Sequence, residues 1–153
     1  MQLRTLPDGR VLLDSGSRWE PLMGYSRAVR AGRTIHVAGC VGIESDGRYA
    51  DSLRRQTERC IERIDEALAP FGVGVDAIVR LRIYTTCIER WEEIAAVVGP
   101  RFATTRPANA LIGVAALIDT AALVEIEAEA WAAEDGSVAP TSQGEVARRG
   151  PGG

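Results

Sequence analysis

The sequence predicts an α+β domain, and three observations predict it. Ile78 to Thr86 and Leu123 to Trp131 alternate with the two-residue period of a strand. Leu53 to Leu68 and Trp91 to Val98 carry apolar residues at helical spacing. The order is strands, helix, strand, helix, strands. That order gives one mixed sheet with both helices available to cover a single face.

The elements follow in chain order. Ser26 to Val29 is short and ambiguous, and Ala31-Gly32-Arg33 is a turn. In Thr34 to Val41, strict alternation puts Ile35, Val37, Gly39 and Val41 on one face. His36, Ala38 and Cys40 then share the other. The two strands make a hairpin about Gly32. Asp51 is a candidate cap for the first helix, whose apolar stripe is Leu53, Thr57, Cys60, Ile61, Ile64 and Leu68. Its other faces carry like-charge pairs such as Glu58–Glu62, which need arginine partners three residues away. Pro70 and Gly72 end it. Gly99-Pro100 stops the second helix, and Asn109 to Ala115 is a further strand. The stripes Val79-Leu81-Ile83 and Val124-Ile126-Ala128-Ala130 face the helices. Arg80, Arg82, Tyr84, Glu125, Glu127 and Glu129 lie on the other sheet face. That face is either solvated, with cross-strand Arg–Glu pairs, or packed on another subunit around a polar pocket.

Composition narrows the chemistry. The chain has 153 residues, 46% hydrophobic and 25% charged, with a net charge of -3. Those figures suit one globular domain. The acidic balance disfavours nucleic acid as a partner. No apolar run is long enough to span a membrane, and Met1 to Ser17 has no signal-peptide core. A cytoplasmic protein is the expectation. All 18 basic residues are arginine. Lysine Schiff-base chemistry and a phosphate-loop lysine are therefore excluded. One histidine, His36, leaves no multi-histidine metal site within the chain. Cys40, Cys60 and Cys87 show no C-x-x-C spacing and are expected to be reduced and mostly buried. Gly72-Val73-Gly74-Val75-Asp76-Ala77 fits a G-x-G-x-x-A string, but it follows a helix and precedes a strand, the reverse of a dinucleotide site. Ala133 to Gly153 holds five glycines, two prolines and no aromatic residue. It is expected to be a flexible tail behind a domain spanning 1–132. Glu125, Glu127 and Glu129 are the best chemical candidates, since a carboxylate partly desolvated on a sheet suits general-base work.

Several blocks resemble the RidA (YjgF-like, "L-PSP endoribonuclease") family in order and spacing. They are Gly24-Tyr25-Ser26-Arg27-Ala28-Val29, Ile35-His36-Val37-Ala38-Gly39, Gln56-Thr57, and Val79 to Thr85. Arg106-Pro107-Ala108-Asn109-Ala110 and Leu123 to Ala128 complete the match, over about residues 20–131. The resemblance implies a chorismate-mutase-like fold. It also implies a homotrimer whose sheets form a central barrel, with small-molecule clefts between subunits. The implied activity is hydrolysis of 2-imino or enamino acids to 2-oxo acids and ammonia, with no metal or organic cofactor. Carried over by position, Glu125 is the water-orienting carboxylate. Tyr25, Gly39, Tyr84 and Trp91 shape the cleft.

The sequence departs from the family where an arginine should grip the substrate carboxylate. That position holds Asn109, the only asparagine in the chain. Asparagine supplies neutral hydrogen bonds but neither charge nor the guanidinium fork. Leu111, two residues on, and Ala38, before Gly39, make the cleft more apolar. Arg106 is a candidate substitute for the missing arginine. The expectation is a divergent enzyme acting on an imine, enamine or related carbonyl compound, by hydrolysis, tautomerisation or cyclisation. It is expected to be a poor 2-imino acid deaminase. The alternatives are a non-catalytic trimer that binds a small ligand, and an endoribonuclease.

Overall fold

Seven strands line up in the order β1-β2-β3-β4-β7-β5-β6 in a computed structural model, which describes residues 1–132. The strands are β1 (Gln2–Thr5), β2 (Val11–Asp14), β3 (Ala28–Ala31), β4 (Thr34–Val41), β5 (Ile78–Thr85), β6 (Ala108–Gly113) and β7 (Val124–Trp131). The helices are α1 (Trp19–Met23), α2 (Leu53–Leu68) and α3 (Trp91–Arg101). Every neighbouring pair is antiparallel except β5 and β6. A parallel pair needs a crossover, and α3 carries it. Helix α2 packs on β4 and β7 and meets α3, so the two main helices cover one sheet face as the sequence predicts. The expected tail, 133–153, lies outside the described residues.

The helix stripe is the core. Leu53, Thr57, Cys60, Ile61, Ile64 and Leu68 are all buried, against Leu81, Ile83, Val124 and Ile126 from the sheet. Ser52 caps α2 rather than Asp51: its Oγ accepts the Arg55 amide at 3.1 Å. The charged faces pair largely as spacing requires. Arg59 reaches Glu62 at 3.1 Å and Arg55 reaches Glu58 at 3.6 Å, both i,i+3. Helix α3 runs through Gly99-Pro100 to Arg101, because the proline sits in an exposed last turn, which Phe102 closes on the Val98 carbonyl at 3.0 Å. The β1–β2 hairpin was not predicted. Its turn, Pro7-Asp8-Gly9-Arg10, has Gly9 at φ 85° and the Gly9 amide on the Leu6 carbonyl at 3.0 Å.

Gln56 ties α2 to the loop that leads into β7. It is 2% exposed, donates to the Ala50 and Ala121 carbonyls at 3.0 and 2.9 Å, and accepts the Leu123 amide at 2.8 Å. Gly42 lets the helix approach, since a Cβ there would stand 2.5 Å from Gln56 Cα. Gln56→Leu removes all three bonds and leaves backbone groups unpaired. We expect a loss of about 3 kcal/mol or more, read from the urea midpoint.

The strict alternation expected in β4 fails at one place. The β4–β7 register shifts between Val37 and Cys40, so Ala38 and Gly39 together oppose Glu127. This is a β-bulge. Cys40 consequently joins Ile35 and Val37 in the core, while His36 stays exposed on the opposite face.

Candidate active site

The polar sheet face holds three glutamates, and the register treats them differently. Glu127 pairs across β5 with Arg82 at 2.6 Å, and Tyr84 Oη donates to it at 3.5 Å. Glu129 pairs with Arg82 at 3.2 Å and Arg80 at 3.9 Å. Glu125 stands opposite Tyr84 on β5 and Val41 on β4, neither of them a cation. Among the described residues no hydrogen bond or ion pair reaches its carboxylate. Burial pushes the Glu125 carboxyl above the ordinary value of 4.5; the charge of Arg27 opposes the rise and Glu127 adds to it.

The carboxylate lies across the bulge. A Cβ on Gly39 would fall on Glu125 Oε1 and stand 2.8 Å from its Cδ. Only glycine leaves that space open. Arg27 underlies the same point and was not anticipated as a site residue. Its Nη1 donates to the Gly39 carbonyl at 2.8 Å and the Ala38 carbonyl at 3.2 Å, and its Nη2 donates to Tyr25 Oη at 3.1 Å. The signal available in the sequence was one basic residue immediately before the apolar pair Ala28-Val29 that opens β3.

Tyr25, Gly39 and Glu125 are therefore brought together within one chain, with Tyr84 across the strand. Burial pushes the Tyr84 phenol upward, as does Glu127. Asn109, Leu111 and Arg106 are not in this group. Asn109 is exposed on the sheet-edge strand β6, level with Leu81, so it stands on the helix side of the sheet. Glu125 is level with Ile112 through Tyr84. Three residues along and two strands across place Asn109 about 14 Å from Glu125, on the opposite face. Leu111 is level with Ile83 and packs against the core. Arg106 is exposed before β6 at φ 45°, with its amide on the Phe102 carbonyl at 2.9 Å. Trp91 is 50% exposed at the start of α3.

A groove of about 230 Å³ continues from the bulge, lined by Ser26, His36, Ala38, Arg82, Glu127 and Glu129. A larger open depression of about 430 Å³ lies at the start of α2. Its arginines are already paired, Arg55 with Glu44 and Arg48 with Asp46, each at 2.7 Å, so it offers less chemistry. The Cys40 and Cys60 thiols are buried and pushed upward by that burial, which makes them poor nucleophiles.

The Endoribonuclease L-PSP family model matches residues 15–132. The chain belongs to this family. Among L-PSP relatives, an uncharacterised protein of Streptomyces coelicolor is 33% identical over 123 residues, covering 78% of this chain and 90% of that one. RutC family protein UK114 of Drosophila melanogaster is 28% identical over 120 residues, covering 77% and 86%. The crystal structure of Rv2704 from Mycobacterium tuberculosis, described as a YjgF/YER057c/UK114 family member, superposes with a TM-score of 0.74. It shares 41% identity and covers 80% of this chain and 99% of its own. The L-PSP (YjgF-like) fold is thus the mixed sheet with two main helices that the sequence predicts. No helix among the described residues is long and apolar enough to cross a membrane.

Proposed function

We propose that this L-PSP family protein is an enzyme that acts, without a cofactor, on a small imine, enamine or related carbonyl compound. The observation that carries it is the Glu125 carboxylate, unpaired and partly desolvated over Gly39, while its neighbours on the strand are tied to arginines. In imine hydrolysis Glu125 takes a proton from water as the water oxygen bonds to the imine carbon and the C=N pair moves to nitrogen. That proton goes to nitrogen to give the carbinolamine; Glu125 then takes the hydroxyl proton and passes it to nitrogen as the C–N bond breaks, so ammonia leaves and a carbonyl compound remains. The same base serves tautomerisation or cyclisation.

The site is placed between copies of the chain in a homotrimer. The sheet face opposite the helices carries Tyr84, Ile112 and Trp131, the last two 38% and 48% exposed. Closing three such faces on one another covers them and leaves no open interface. It also gives Asn109 on one copy's sheet edge a route to Glu125 on the next. Light scattering is expected to show a trimer of the 16.4 kDa chain. A stable monomer at micromolar concentration overturns the interfacial site.

A panel of imines and enamines generated in situ, some with a neighbouring carboxylate and some without, tests the activity by ammonia release. Faster turnover of the carboxylate-free members supports the proposal. Binding without acceleration of any member points to a ligand-binding trimer. In the same assay, Gly39→Ala should separate chemistry from stability. The added methyl meets the movable end of Glu125 rather than backbone. Its urea midpoint should change little, while displacement of the carboxylate costs about 10²-fold in rate.

A further inference from the structure

Arg27 is a buried cation whose hydrogen bonds do not cancel its charge. It is 6% exposed, and its Nε is buried with no partner. Among the described residues no carboxylate forms an ion pair with it. Its Nη atoms are used on neutral groups: the Ala38 and Gly39 carbonyls, the Cys40 sulfur at 3.6 Å, and Tyr25 Oη. A buried charge held only by neutral groups is costly unless something nearby compensates it. Two carboxylates feel it, Glu20 and Glu125. Glu20 is already committed. Its oxygens accept the Ser15 and Gly16 amides at 3.1 Å and the Ser15 hydroxyl at 2.6 Å. Glu125 has no such partners, and it lies across the very residue whose carbonyl Arg27 holds.

We propose that Arg27 is the positioning residue of this site: its guanidinium clamps the bulge backbone beneath Glu125 and supplies the counter-charge to that carboxylate. This accounts for the clamp and for a bulge that opens beside the acid. The titratable groups around Glu125 come from every element packed near it, and α2 also brings Arg63, whose Nη1 donates to the carbonyl of Val41, opposite Glu125, at 3.1 Å. Arg27 comes from the entrance to β3, Cys40 from β4, Glu127 from its own strand and Tyr84 from β5. Tyr49 comes from the loop before α2 and Cys60 from α2 itself. Both thiols and both phenols are neutral near pH 7, their titrations pushed upward by burial. Arg27 is the cation whose charge bears on the Glu125 carboxyl, against the single like charge of Glu127, while Arg63 is spent on the Val41 carbonyl.

The inference rests on Glu125 being the working carboxylate, but its test needs no substrate. The full chain, labelled with ¹³C at glutamate Cδ, is titrated by NMR as wild type, Arg27→Lys and Arg27→Gln. Arg27→Gln is expected to raise the Glu125 midpoint by about one pH unit, and Arg27→Lys, which keeps the charge, to hold it within about 0.3 units of wild type. In the wild-type protein the Arg27 Nε–H resonance should move with the same midpoint, and Glu125→Gln should abolish that inflection. A folded Arg27→Gln with an unmoved Glu125 midpoint overturns the proposal. So does a flat Arg27 resonance in wild type, which decides the matter alone if Arg27→Gln does not fold. Coupling in a protein that accelerates no imine would retire the proposed activity and leave the pair standing.

Discussion

Glu125→Gln is expected to slow the best substrate of the imine and enamine panel by about 10²–10⁴-fold while leaving the fold and the trimer unchanged. The amide keeps the shape of the side chain and its place over Gly39. It loses the capacity to take a proton. No hydrogen bond or ion pair to Glu125 is broken; what the variant removes is the counter-charge to the buried Arg27, so rates are compared on protein shown to be folded and trimeric. The wild-type pH profile supplies a second readout. A general base works deprotonated, so kcat/KM rises with pH through its pKa. Burial raises that pKa, so the acid limb should lie above the ordinary glutamate value of 4.5. The limb should disappear in the variant. Glu127→Gln is the control: that carboxylate is bound to Arg82, and its loss should cost stability more than rate. Unchanged turnover in folded Glu125→Gln would move the chemistry to another residue.

The three glutamates show how far the sequence could be read. Their alternation put all of them on one face, and they are on one face. Which of them stays unpaired depends on cross-strand register, and register is a long-range property. Glu127 meets Arg82 because β5 and β7 align there, and Glu125 meets Tyr84 and Val41 for the same reason. The bulge at Ala38-Gly39 was illegible too. A sequence with regular alternation on both sides gives no notice of one inserted residue, and the insertion moved Cys40 into the core. The buried stripe of helix α2 was legible because it is local, although the cap one residue away, Ser52 in place of Asp51, was not. Arg27 escaped notice because basic residues are usually exposed, and only the folded bulge supplies the carbonyls that bury it. The expectation of a trimer and of a cleft between its copies came from the resemblance to a known family, because a single chain displays neither.

Wild-type protein is expected to hydrolyse 2-iminopropionate or 2-iminobutyrate weakly, and Asn109→Arg to raise that rate by roughly a few hundred- to a few thousand-fold. A bidentate arginine–carboxylate contact is among the strongest polar interactions a partly desolvated cleft offers. Leaving a buried substrate carboxylate without its partner costs about 3–5 kcal/mol, which is the origin of the factor. The structure adds a geometric condition. Asn109 and Glu125 stand on opposite sheet faces about 14 Å apart within a chain, too far to hold the two ends of a three- or four-carbon substrate. An arginine at 109 can rescue only across an interface, from one copy to the Glu125 of its neighbour. The gain should therefore vanish under conditions that dissociate the assembly, while an anchor within one chain would survive them. Arg106, exposed ahead of β6 at φ 45°, makes no hydrogen bond or ion pair with Glu125 among the described residues. Robust hydrolysis by the wild type would refute the expectation and move the anchor to Arg106 or another arginine contributed by a neighbouring copy.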